Sequence, residues 1–254
     1  MNGAGNSFAV CDARGLSPDY AELAKRLCKL TGADGLLAID NSSCADFRLH
    51  FYNSDGLRGE MCGNGARCVC RFAYELGLVG AQMTVQTDAG PVYGQRICHD
   101  RYRVRLNLPS VVDLTRTDDA AYVELGDPGI PHSVTEVPGL NWNDREKLRP
   151  LAKKLRFDPA FPKGVNVNFF DRLDEHTLRL LTYERGVEDY TLACGTGSAS
   201  TAVTLWAKGL LTGGDLTVQN PGGDLTVTLE TDGDRLTAIF LEGPAEGDNW
   251  IDFP

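Results

Sequence analysis

Two short stretches place a thiol where a helix is expected to begin. In EMCGNGARC, Cys62 precedes Gly63, Asn64 and Gly65; in LACGTGSA, Cys194 precedes Gly195, Thr196 and Gly197. Glycines after each cysteine let backbone N–H groups approach a bound anion, and a helix N-terminus carries roughly half a positive charge. That field favours thiolate over thiol, since about 1.4 kcal/mol lowers a cysteine pKa by one unit. A thiolate and a thiol on opposite sides of one carbon are what a cofactor-free racemase or epimerase needs. One sulfur removes the α-proton and the other delivers a proton to the opposite face. Both helix ends can hold the substrate carboxylate, where negative charge grows as the α-carbon is deprotonated. This replaces the electron sink that pyridoxal phosphate supplies elsewhere, so no cofactor is expected.

Other readings of the same residues are weaker. One cysteine beside glycine is ordinarily a small buried hydrophobe, and it is the matched pair that argues for chemistry. Cys62, Cys68 and Cys70 form no CxxC pair and the chain has four histidines, which argues against zinc. Neither glycine-rich stretch is a P-loop or is followed by a clear ribose-binding acid. Cys68 and Cys70 lie six and eight residues beyond Cys62, outside the helix-end field, and read as packing residues. Cys11, Cys28, Cys44 and Cys98 belong to no motif. With no secretory signal at the N-terminus, all eight cysteines are expected to be reduced.

The elements that must position these thiols follow from the hydrophobic pattern. Ser17-Pro18 before DYAELAKRLCKL reads as an N-cap and first helical position, with Leu23, Leu27 and Leu30 on one face. Strands are expected at Leu36 to Ile39, Phe47 to Tyr52, Met83 to Thr87, Pro91 to Ile97 and Tyr102 to Leu106, around the Cys62 helix. The order repeats with strands near Ala121 to Leu125, Ser133 to Val137, Val165 to Phe170 and Thr177 to Tyr183, interrupted by a helix from Trp142 to Leu155. After Cys194, SASTAVTLWAKGLL has no polar face and reads as a buried helix, followed by strands at Leu216 to Val218, Leu225 to Leu229 and Leu236 to Leu241.

Each half is thus expected to wrap a sheet around one central helix that begins Cys-Gly-X-Gly. The polar stretch Asp113 to Ala120 marks the boundary, giving an N-terminal lobe of residues 1–115 joined by the segment 244–254, and a C-terminal lobe of 116–243. The 254 residues are 42% hydrophobic and 24% charged, ample for such cores. A net charge of −10, with no basic run interleaved with aromatics, argues against nucleic acid as a partner. No window is long and apolar enough to span a membrane, and a cytoplasmic location is expected.

The order of NGAGNSF (2 to 8), GADGLLAI (32 to 39), YNSDG (52 to 56), EMCGNGARC, GIPHSV (129 to 134), VNVNFF (165 to 170), YERGVEDYTLACGTGSAS (183 to 200) and PGGDLTV (221 to 227) resembles the diaminopimelate epimerase family over nearly the whole chain. The resemblance implies an α/β (α+β) fold of two pseudo-symmetric lobes, each a mainly antiparallel barrel-like sheet around a central helix, with the active site in the cleft between them. It implies that Cys62 and Cys194 are the acid/base pair and that Gly63, Asn64, Gly195 and Thr196 cradle the reacting carboxylate. Asn6, Asn53, Asn166, Glu184 and Arg185 would hold the remaining ammonium and carboxylate groups, with Arg gripping a carboxylate bidentately and amides serving both signs. His132 would assist Cys62 and Glu184 would assist Cys194, by orienting the thiols or accepting protons. Read without the family, His132 is a turn or surface residue, Glu184-Arg185 a solvated pair, and Asn6 and Asn53 turn residues. Asn166 inside an apolar strand stands out by itself, because a buried amide needs partners.

The activity so implied is interconversion of LL- and meso-2,6-diaminopimelate, serving lysine and peptidoglycan synthesis, on a small-molecule substrate and as a possible homodimer. The same two-thiol logic fits a proline or hydroxyproline racemase or epimerase, and a catalytically inactive diacid-binding module is the alternative from another class. A phenazine-type isomerase of similar fold lacks the thiol pair. Four positions depart from the family pattern: Asn2 where His is common, Ile130 where Asn is common, Ser200 where many relatives have Cys, and Asn249 near an aromatic tied to dimer contacts.

Overall fold

The computed structural model describes residues 1–59 and 62–247. Glu60 and Met61 of the first motif, and Asn249, which bears on the dimer expectation, lie outside the described residues. The chain divides into two compact units: residues 1–105 with, among the described residues, 242–247, and Leu106–Leu241. The division falls ahead of the polar stretch at 113 to 120, because Pro109–Asp113 is a strand that pairs with Ala121–Gly126.

The first unit contains β1 (Asn2–Gly3), β2 (Asn6–Asp12), α1 (Tyr20–Thr31), β3 (Gly35–Asp40), β4 (Phe47–Asn53), β5 (Arg58–Gly59), α2 (Gly63–Glu75), β6 (Gln82–Thr87), β7 (Gly90–Arg96) and β8 (Arg101–Leu106), whose last residue counts with the second unit. The second contains β9 (Pro109–Asp113), β10 (Ala121–Gly126), β11 (Gly129–Glu136), α3 (Arg145–Arg156), β12 (Asn166–Arg172), β13 (Thr177–Glu184), β14 (Asp189–Tyr190), α4 (Gly195–Ala207), β15 (Gly214–Asn220), β16 (Gly223–Asp232) and β17 (Arg235–Pro244), whose last three residues count with the first unit. Pairing follows one plan in both. β2 and β3 are parallel, β3 and β4 antiparallel, β4 and β6 parallel, β6 and β7 antiparallel. β11 and β12, β12 and β13, β13 and β15, and β15 and β16 repeat those four relations in order. The registers match residue for residue: Phe8 faces Gly35 as His132 faces Asn166, and Leu37 faces Phe51 as Asn168 faces Thr182.

Alternation along the strands sends one set of side chains to an outer helix and the other to an inner one. In the first unit Leu36 and Ala38 pack with Ala24 and Leu27 of α1; in the second, Val167 and Phe169 pack with Ala152 and Leu155 of α3. The inner helices α2 and α4 are buried through most of their length. Three of the buried hydroxyls of α4, those of Ser198, Thr201 and Thr204, are satisfied within the helix, each donating to the carbonyl four residues back at 2.8–2.9 Å.

Three sequence expectations shift. The cap of α1 is Asp19 rather than Ser17, because the Asp19 carboxylate accepts the Glu22 N–H at 3.1 Å, and Pro18 precedes the helix instead of opening it. Leu30 is 62% exposed: the buried stripe runs along Ala24, Leu27 and Cys28, and position 30 falls at its margin in the last turn. The expected helix from 142 to 155 is a 3₁₀ turn, Trp142–Asp144, leading into α3. No helix among the described residues is long and apolar enough to cross a membrane.

Candidate active site

In the first unit Cys62 is the N-cap of α2, with extended backbone (φ −133°, ψ 121°) and no side-chain capping hydrogen bond, and Gly63 begins the first turn. Asn64, 3% exposed, is the second helical residue. Its Nδ2 donates to Asn6 Oδ1 at 2.6 Å, and its Oδ1 accepts from Arg67 Nη2 at 2.9 Å. Arg67 is fully buried one turn further along and also donates to the carbonyls of Gly63 and Pro244, at 3.4 and 3.3 Å. Burial pulls the Arg67 pKa down to about 10, and the guanidinium still carries its charge at neutral pH. The turn between β1 and β2 rests directly on this helix start: a Cβ on Gly3 would lie 2.9 Å from the Asn64 carbonyl oxygen. Asn53 is exposed at the end of β4, where its backbone closes a turn with Leu57.

Beyond the first turn the thiols of this helix are inert. Cys68 and Cys70 are fully buried, and burial pushes both pKa values up to about 12, so they pack as neutral groups. Cys11, Cys28, Cys44, Cys68, Cys70 and Cys98 are free thiols.

In the second unit Cys194 caps α4 with the same backbone (φ −122°, ψ 108°). Its sulfur accepts the Gly197 N–H at 3.3 Å and lies 3.6 Å from Thr196 Oγ1, so it is held over the positive end of the helix. Gly195 is buried and Thr196 half-buried beside it. Beneath the helix start, β11, β12 and β13 present His132, Asn166, Asn168 and Thr182 on one face. Asn166 Oδ1 accepts the Arg185 N–H at 2.9 Å, and Arg185 Nη1 donates to the Lys163 carbonyl at 2.8 Å. Lys163 in turn pairs with the buried Glu124 at 2.7 Å. Glu184, half-buried at the end of β13, has its pKa raised by burial. His132 is wholly buried, and burial, with the Arg185 charge second, pulls its pKa down to about 3.

The sequence-derived residues therefore fall into two groups. Asn6, Gly63 and Asn64 gather at the mouth of α2 with Cys62, and His132, Asn166 and Arg185 belong to one polar cluster beside Cys194, Gly195 and Thr196. Reading the sequence passed over Arg67, Asn168, Thr182, Glu124 and Lys163. Asn168 carried a usable signal: it sits two residues after Asn166, on the same face of the same apolar strand.

The family model for diaminopimelate epimerase matches residues 1–108 and 126–247. A diaminopimelate epimerase of Aquifex aeolicus is 37% identical over 267 aligned residues, covering 96% of this chain and 92% of the relative. That of Chlorobaculum tepidum is 35% identical and covers 96% of each. Among solved structures, a Bacillus anthracis phenazine biosynthesis protein of the PhzF family shares the fold with a TM-score of 0.69 at 17% identity, over 96% of this chain and 92% of that one. A hydroxyproline epimerase of Agrobacterium vitis does so with a TM-score of 0.62 at 21% identity, over 83% and 71%. With a thiol-capped helix in each of two matching units and relatives this similar along nearly its whole length, the chain belongs to the diaminopimelate epimerase family and is an isomerase of the epimerase class.

Proposed function

We propose that the protein interconverts LL- and meso-2,6-diaminopimelate without a cofactor, with Cys62 and Cys194 as the two acid/base groups. The reading rests on one observation: both cysteines are the N-caps of matching helices with nearly the same backbone angles, each followed by a Gly-X-Gly run at the positive end of its helix. One thiolate takes the α-proton as the other thiol gives its proton to the opposite face, and the roles exchange in the reverse direction. The carboxylate of the reacting centre is held by the amides of Gly63, Asn64, Gly195 and Thr196, whose grip strengthens as negative charge builds there. Asn6, Asn53, Asn166, Glu184 and Arg185 hold the distal ammonium and carboxylate; a cation and several amides suit a substrate whose far end is charged. His132 and Glu184 tune the thiols. The product supplies lysine and peptidoglycan synthesis in the cytoplasm.

Incubating the enzyme with LL-diaminopimelate in deuterated water under reducing conditions tests this. Meso product should accumulate with deuterium at the inverted α-carbon. Inversion with complete retention of hydrogen would rule out solvent-exchanging thiols, and turnover of proline in place of diaminopimelate would reassign the substrate.

A further inference from the structure

His132 has no exposed surface, and its two ring nitrogens stand in different settings. Nδ1 lies 3.1 Å from Asn168 Nδ2. The orientation of that amide is fixed by its other neighbours: Nδ2 also faces the carbonyls of Ser133 at 2.9 Å and Asn166 at 3.2 Å, and carbonyls only accept. Oδ1 takes the Thr182 hydroxyl at 2.9 Å. The atom against His132 is therefore the NH₂ group, which cannot accept a hydrogen bond, and a proton on Nδ1 would set two donors against each other. Nδ1 is thus the bare nitrogen of a neutral ring, and the proton sits on Nε2. That Nε2 is buried and meets no acceptor among the described residues.

The fold does not require this arrangement. At the matching positions of the first unit stand Phe8, Leu37 and Phe51, an apolar set beneath α2 that serves the same topology. Asn168 also touches the catalytic helix: a Cβ added to Gly197 would lie 2.2 Å from Asn168 Oδ1 and 3.2 Å from Cys194 Sγ.

We propose that Asn168 is a positioning residue that locks His132 in its Nε2–H tautomer, so that His132 serves the reaction as a neutral hydrogen-bond donor to a thiolate or carboxylate and not as a base. The tautomer is a property of the fold, while its use in turnover rests on the proposed epimerase reading. Burial keeps the ring neutral at working pH, consistent with a donor that gains and loses no proton during the reaction.

The test is ¹⁵N NMR of histidine-labelled enzyme, with the His132 signals assigned by their loss in His132→Asn. The wild type should show a pyridine-type Nδ1 and a pyrrole-type Nε2; a proton on Nδ1 would overturn the proposal without any variant. Asn168→Asp places an acceptor against Nδ1 and should move the proton there, lowering kcat by about 10²-fold with little change in KM. A variant that moves the proton yet keeps full kcat would overturn the donor role. Absence of diaminopimelate turnover by the wild type, with the expected spectrum, would instead fault the epimerase reading and leave the tautomer standing.

Discussion

The starts of α2 and α4 share a topology, a backbone and a glycine-bounded thiol, and almost nothing else. α2 rests on Phe8, Leu37 and Phe51, but it carries a fully buried cation in its second turn, Arg67, which holds Asn64 and through it Asn6. α4 has Ala199 at the matching place and no charge inside it; its polar groups lie in the sheet below, as His132, Asn168 and Thr182. Both solutions place hydrogen-bonding groups near a helix mouth. One builds them into the helix and the other into the floor. The repeat thus fixes which residue caps each inner helix, while side chains particular to each unit decide what surrounds that cap.

The comparison is most strongly tested at the thiols themselves. Cys62→Ala and Cys194→Ala should each lower kcat by about 10³-fold or more while circular dichroism shows an unchanged fold, and the double variant should be little worse than either single. Full activity in one of them would end the idea of equivalent half-sites. Next comes the buried cation. Arg67→Ala gives α2 the residue that α4 carries, yet it removes the side-chain donations to Asn64 Oδ1 and to the Gly63 and Pro244 carbonyls and opens a cavity, for a loss of about 3 kcal/mol in denaturant unfolding.

The third-position glycines separate the two floors. A Cβ on Gly197 would fall 2.2 Å from Asn168 Oδ1, whereas on Gly65 it would lie 3.1 Å from the Leu37 methyl carbon Cδ2, which can turn aside. Gly197→Ala should cost about 2 kcal/mol and much of the activity, and Gly65→Ala less than about 1 kcal/mol; equal losses would mean that the floors are interchangeable.

The smallest effect concerns Glu184 and Asn53, which end the matching strands β13 and β4. Burial raises the Glu184 pKa above its unfolded value, so its stabilising contribution is complete at acid pH and is lost as pH rises through the folded pKa. Glu184→Gln should therefore gain in melting temperature relative to wild type as pH is raised from the ordinary carboxylate range towards neutrality. Asn53→Asp, at an exposed position, should show no such trend.

Much of the candidate site is legible in the sequence because its parts are local. Cys-Gly-X-Gly before a helical pattern is a statement about four neighbouring residues, and its recurrence revealed the repeat. Most strand positions followed from alternation. Ser17 and Asp19 are both competent caps for α1, and only the geometry selects Asp19, whose carboxylate reaches the Glu22 N–H. Asn53 is matched by resemblance alone: in the structure it is exposed, and its backbone closes a turn with Leu57. The missed residues have distant partners. Asn168 meets His132 across 36 residues, and Arg67 meets Pro244 across 177.

The sequence by itself determined which sulfurs stand at helix starts and that two similar units carry them, because glycine spacing and hydrophobic period act within a few residues. The tertiary structure alone decided the company each thiol keeps. A buried amide or guanidinium is committed to whichever carbonyls and rings the sheet register brings beside it, and register is set by pairing between strands far apart in the chain.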